Sequence, residues 1–235
     1  MDSISSAMSR MFCHRCSGSL WRARAIKRLP APKRSQTTTW KDFISAHLAV
    51  LAGTDFFTVE VLTWRGLATY YVLFFLHLET RRVTLAGITR HPTQAWITQM
   101  ARNSVDHTSG GLRQCRYLLH DRDAKFCAAF DDVLASEGID ALKIPPRSPN
   151  LNAYTERWVR SVKDECLSKL VLFGERSLQR ALTEFVEHYH RERNHQGKSN
   201  ALLFPSPALL EPDCRRGICC RERLGGLLRY YSRAA

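Results

Sequence analysis

The sequence predicts an α/β domain on a mixed sheet, and three observations carry the prediction. Three apolar, strand-like runs follow one another in hairpin order between Phe56 and Ile88. Helix-like and strand-like segments then alternate from Thr93 to Ile144. Two helical segments, roughly 153–172 and 177–193, close the series.

Each element has a local reason. Residues 1–39 are nearly free of acidic side chains and carry Pro30 and Pro32, so they read as a basic leader or remnant. At Trp40 the character changes, and Trp40-Lys41-Asp42-Phe43-Ile44 opens a helix-like stretch to about Leu51. Phe56–Leu62 and Leu67–Leu78 flank a turn at Trp64-Arg65-Gly66, the pattern of a hairpin, and Arg81–Ile88 supplies a third strand. His91-Pro92 ends it, and Ala95, Trp96, Met100 and Ala101 give 93–103 a helical spacing. A Ser-Gly-Gly loop at 109–111 leads to a short strand, Arg116–His120. Phe126–Ser136 reads as a helix stopped at Gly138, and Asp140–Ile144 as a fifth strand. Ser177 stands where the last helix needs an N-cap. The division expected is a leader at 1–39, a core at 40–202 and a basic C-terminal arm at 203–235, folded as an arm or short hairpin.

The formal charge of +13 is far more than solubility requires, and a phosphate polymer is the usual partner of such an excess. No apolar run approaches the ~20 residues of a membrane span, so no membrane partner is expected. The eight cysteines lack the regular spacing of a disulfide framework, and those in the middle lie in apolar or helical contexts. A reducing cytoplasm is therefore the expected location. Cys13-His14-Arg15-Cys16 has the spacing of half a zinc site, but no second pair with ligand spacing lies near it in sequence.

Three carboxylates stand out against this background. Asp55 belongs to the first strand, Asp121 to the end of the fourth, and Glu156 to the helix after the fifth, behind the Pro-rich loop 145–149. If the first and fourth strands are neighbours, these groups can converge. Oxygen-only ligands suit a hard cation such as Mg²⁺, and paired divalent ions activate one oxygen and stabilise another in phosphodiester chemistry. Each acid also has an ordinary reading: a strand-entry or loop residue for Asp55, Asp121 and Asp123, and a surface pair with Arg160 for Glu156.

The wording, order and spacing of these segments resemble the catalytic core of DDE transposases of bacterial insertion sequences, the retroviral-integrase type with a ribonuclease-H-like fold. The resemblance is carried by Thr54-Asp55, by His120-Asp121-Arg122-Asp123-Ala124-Lys125-Phe126, and by Ser148-Pro149-Asn150-Leu151-Asn152-Ala153 through Glu156-Arg157. It spans roughly residues 40–200, and the 34 residues between Asp121 and Glu156 match the family's spacing. It implies a five-stranded mixed sheet flanked by helices, with Asp55, Asp121 and Glu156 as catalytic metal ligands for Mg²⁺, Mn²⁺ substituting. The family places a glycine where this chain has Asp123, which keeps Asp123 as the alternative to Asp121. Strand alternation favours Asp121, which shares a face with Tyr117 and Leu119.

The resemblance further implies DNA, both element ends and target, as the partner, and a homo-oligomer on that DNA. DNA contacts are expected from Arg147, Asn152, Arg160 and Lys163; Arg147 and Asn152 have a loop-stabilising alternative, and the basic helix face a merely solvated one. His190 to Gly197 resembles the family's closing segment, read as structural capping with some DNA contact. His77 stands where the family often has an acid and is read as a core or edge histidine. The expected activity is hydrolysis at element ends followed by strand transfer, in a bacterial, nucleoid-associated setting. The alternatives are an inactive truncated remnant that binds DNA non-specifically, since only residues 1–39 stand where an end-reading region is usual, and a nuclease that cuts without joining.

Overall fold

The computed structural model describes residues 39–106, 108, 110–145, 152–205 and 217–233. The expectations for residues 1–38, for Cys13 and Cys16, and for Arg147 lie outside them. The chain divides into two compact units, Met1–Ala46 and His47–Ala235. The described part of the first is the start of helix α1 (Trp40–His47). Thr39 and Asp42 cap it reciprocally: the Asp42 carboxylate accepts from the Thr39 N–H and hydroxyl, and the Thr39 Oγ1 accepts from the Asp42 N–H.

The second unit holds strands β1 (Leu51–Thr63), β2 (Gly66–His77), β3 (Val83–Thr89), β4 (Tyr117–His120) and β5 (Asp140–Lys143) in one mixed sheet of order β3-β2-β1-β4-β5. β1 and β2 pair antiparallel from Ala52↔His77 to Thr63↔Gly66 around a two-residue turn. β3 continues antiparallel on β2, with an irregularity between Leu73 and Phe74. β4 runs parallel to β1 and β5 parallel to β4. This is the expected five-stranded mixed sheet, and its order places the first strand beside the fourth.

Helices cover both faces. α2 (Gln94–Val105) is N-capped by Thr93, whose hydroxyl accepts from the Trp96 N–H. It buries Ile97 and Ala101 with Phe130 and Leu134 of α3 (Ala128–Ser136) against Ala52, Leu73, Phe75 and Leu118. On the opposite face α4 (Ala153–Glu165) sets Trp158 edge-on to Phe57 and tilted over Phe74. α5 (Gly174–Arg191) buries Leu178, Ala181, Leu182, Phe185, His188 and Tyr189, one face at helical spacing. A hairpin of β6 (Ile218–Arg223) and β7 (Leu228–Arg233) follows. It is tied to α5 through Arg223, which donates to Glu184 and to Glu192, itself only 4% exposed.

Three local expectations are corrected. β1 starts at Leu51, well before Phe56, because Ala52, Gly53 and Thr54 are buried where the parallel ladder forms. The helix expected to reach Leu172 ends at Glu165; Cys166 is buried under α5, and the chain turns so that the Leu172 carbonyl accepts from the Leu62 N–H. Ser177 is not the N-cap of the last helix. That helix starts at Gly174, whose φ of +72° makes the turn, with Phe173 in the cap position.

Candidate active site

The parallel ladder between β1 and β4 has three pairs, Leu51↔Tyr117, Ala52↔Leu118 and Gly53↔Leu119. Continued two residues past its end, the same offset sets Asp55 against Asp121. Alternation puts Gly53, Asp55 and Phe57 on one face of β1, and Leu119 and Asp121 on the same face of β4. That face is covered by α4, whose first turn carries Glu156.

Gly53 governs how closely the helix approaches. A Cβ on Gly53 would stand 2.9 Å from Thr155 Cγ2 and 3.3 Å from Asn152 Oδ1. Thr155 is fully buried, and its hydroxyl donates to the Asn152 carbonyl at 2.7 Å, so this end of the helix is packed rather than adjustable. A strand glycine marks a close backbone approach. Here it seats the start of α4 two residues from Asp55.

Asp55 is half-buried, and its Oδ1 accepts from the Phe56 N–H at 2.7 Å. Burial raises its carboxyl to about 6, against the pull of that N–H and with help from the charges of Asp121, Glu156 and Asp123. Acids from two other chain segments thus act on one carboxyl. Asp121 Oδ1 accepts from the Asp123 N–H, closing a turn, and the Asp121 carbonyl accepts from His120 Nδ1 at 2.7 Å. The fully buried His120 ring lies against Phe126. Burial holds its pKa below the ordinary histidine value.

Asp123 faces differently. Its carboxylate accepts from the Lys125 ammonium and backbone N–H. Burial pushes the Asp123 carboxyl up, but Lys125 outweighs burial and holds it below the usual carboxylate range. Glu156 is exposed, and no described residue forms an ion pair with it, Arg160 included. Arg160 and Lys163 are exposed on the same helix, and Lys163 Nζ lies 5.9 Å over the Phe57 ring. Asn152 is buried, and its side chain packs at Gly53. Of the two roles expected of it, that environment favours the structural one. His77 Nε2 donates to the Gly111 carbonyl, 2.9 Å away, as a strand-end residue.

An all-carboxylate donor set of this charge fits a hard divalent cation by its chemistry. Among the described residues, however, no three His, Cys, Asp or Glu side chains stand close enough together to hold a metal ion. The acids are electrostatically coupled without being drawn into a closed set. Sequence reasoning missed Gly53, His120 and Lys125. The adjacency of a strand glycine to Asp55 was the available signal for the first; the other two stood in the segment His120–Phe126 with no role of their own.

Residues 137–201 match the family model of the integrase core domain. That span contains Glu156 but neither Asp55 nor Asp121. The HTLV-2 integrase catalytic core domain, solved in complex with magnesium in a dimeric form, superposes with a TM-score of 0.50 at 10% identity, covering 66% of this chain and 93% of that one. The catalytic core domain of BIV integrase gives 0.45 at 15% identity, over 63% of this chain and 88% of that one. An intasome of simian T-cell lymphotropic virus, in complex with PP2A regulatory subunit B56 gamma, gives 0.48 at 12% identity, over 79% and 67%. No curated protein matches the chain. The sheet order and flanking helices are those of the ribonuclease-H-like integrase catalytic core.

Proposed function

We propose, from the premise of a ribonuclease-H-like integrase core, that this protein is a metal-dependent DNA transferase that hydrolyses phosphodiesters at element ends and joins the freed 3′-OH to target DNA. The observation that carries the reading is Asp55, half-buried where β1 meets α4, its carboxyl raised first by burial and then by the charges of Asp121, Glu156 and Asp123. Lys125 offsets Asp123, but the negative charge left at Asp55, Asp121 and Glu156 destabilises the metal-free protein and suits a cation-binding role.

Asp55, Asp121 and Glu156 would hold Mg²⁺, or Mn²⁺ in its place. When bound, the metal supplies activation of the attacking oxygen and stabilisation of the leaving one. The chain's own work is positioning. Gly53 fixes how near Glu156 comes to the sheet, and the His120 ring holds the Asp121 carbonyl. Lys125 occupies Asp123, which favours Asp121 as the ligand of the pair. Arg160 and Lys163, exposed on the helix of Glu156, suit phosphate contacts that fix a strand across the carboxylates without reading its sequence.

The test is a branched DNA resembling a strand-transfer product, incubated with the full chain and Mn²⁺ or Mg²⁺. Rejoined strands are expected. Glu156→Gln and Asp121→Asn should each lower turnover by more than roughly a hundredfold, beyond what loss of a supporting outer-shell partner costs. Asp123→Asn should retain most of it. Cutting without joining would instead mean a nuclease, and salt-sensitive binding without turnover would mean an inactive, DNA-binding remnant.

A further inference from the structure

On the flank of α4 next to Glu156 lies a cavity of about 500 Å³ that the proposed chemistry does not use. Tyr154, Arg157 and Ser161 line it from α4, Arg81 from the turn between β2 and β3, and Lys198 from the loop after α5. Its charge is one-sided. No carboxylate among the described residues lines it, and Glu165 Oε1 and Oε2 accept at 2.6 and 2.9 Å from Arg193, the lining guanidinium that is thereby neutralised. Arg81, Arg157 and Lys198 have no carboxylate partner among the described residues.

These cations are held in place. Arg81 has a φ of +62°, a left-handed backbone that a non-glycine side chain adopts at a cost, and its guanidinium lies 3.2 Å over the Tyr154 ring. Burial pushes the Tyr189 phenol up and Glu165 adds to that, while Arg193, Arg81 and Arg157, which line the cavity with it, pull it down. The loop carrying Lys198 is closed on itself: the Lys198 and Asn200 N–H groups donate to the His195 carbonyl, and His195 is buried against the Tyr189 carbonyl at 2.8 Å. A preformed pocket with convergent, unneutralised cations and phenolic hydroxyls is built for a tetrahedral oxyanion.

We infer that this cavity binds a phosphate group of a DNA strand, as a second backbone contact beside the carboxylate site, through Arg81, Arg157 and Lys198. The inference leans on the transferase reading only for the identity of the polymer. A strand crossing Glu156 and Lys163 meets the cavity by passing around one flank of the same helix.

The experiment measures duplex DNA binding by the full chain, in chelator, as a function of salt. Arg157→Ala/Lys198→Ala is the test variant, since both side chains are exposed and their loss should leave the fold intact. The slope of log K against log salt should fall by roughly one, as each phosphate contact contributes about 0.9 for duplex DNA. Arg157→Lys/Lys198→Arg, which keeps both charges, should preserve it. Calorimetry with pyrophosphate separates the sources. If pyrophosphate binds the wild type and not the Ala variant while the DNA slope stays unchanged, the site serves a small phosphate ligand and the DNA inference is overturned. It is equally overturned if neither measurement changes. Neither readout requires turnover, so an inactive carboxylate site would leave the result interpretable.

Discussion

Replacing Asp55 by Asn should stabilise the metal-free protein while abolishing turnover. Burial above all raises the Asp55 carboxyl to about 6 in the folded chain, from an ordinary 3.8. Between those values the folded state holds a proton that the unfolded state has released, so stability falls as pH rises through the window and is level above it. A shift of this size corresponds to roughly 3 kcal/mol at 1.36 kcal/mol per pKa unit. Side-chain relaxation and water access reduce this, and ~1–3 kcal/mol is the expected gain. Asn retains the oxygen that accepts from the Phe56 N–H, so the charge is what changes. For a unit of this size the gain corresponds to a rise in Tm of roughly 2–12 °C. Thermal or denaturant unfolding of both proteins in EDTA, from pH 4 to 8, measures it. The gap should be widest at pH 7–8 and close near pH 4. Added Mg²⁺ should then stabilise the wild type more than the variant. A variant less stable at pH 8, or a gap independent of pH, would refute the assignment of charge crowding to Asp55.

Three further outcomes are expected. Gly53→Ala drives a methyl to 2.9 Å from the buried Thr155 Cγ2 and should cost ~1–3 kcal/mol, with a larger proportional loss of strand joining than of stability, read from unfolding and turnover on the same preparation. His190 accepts from the Val83 N–H, and burial, reinforced by Arg82, lowers its pKa to about 4. Its contribution to stability is therefore complete above the unfolded value near 6.5 and is lost as pH falls toward 4, opposite in sign to Asp55; His190→Gln should flatten that part of the pH–stability profile. Glu192→Gln removes the buried charge that Arg223 and His188 share, and should cost ~3 kcal/mol. Amide hydrogen exchange should then rise across β6 and β7 while the five-stranded sheet stays protected.

The fold was legible where patterning is regular. The long β1–β2 hairpin, the alternation of Tyr117, Leu119 and Asp121, and the helical spacing of the last helix all carry their periods openly. The start of β1 was not, because Ala52, Gly53 and Thr54 are buried for their smallness and have no apolar signature. The end of α4 was hidden for a different reason: the return of Leu172 to Leu62 is a tertiary contact that overrides a helix-compatible sequence. At the candidate site the carboxylates were readable from motif and alternation. That Lys125 engages Asp123, and that Asn152 packs under Gly53, depends on rotamers and close approach that spacing does not encode.

The sheet joins two kinds of pairing with different histories. β1 and β2 meet across a two-residue turn and share twelve paired positions, whereas β1 and β4 are distant in sequence and share three. Local pairings form early because little loop entropy opposes them, and distant parallel ones form late. Asp55 therefore waits on a strand organised early for Asp121 and Glu156 to arrive with the last contacts. A chain emerging from the ribosome, or one opening at the β1–β4 seam, carries the acids but not their convergence. Whatever chemistry the three acids support together therefore belongs to the completed sheet and not to its early hairpin.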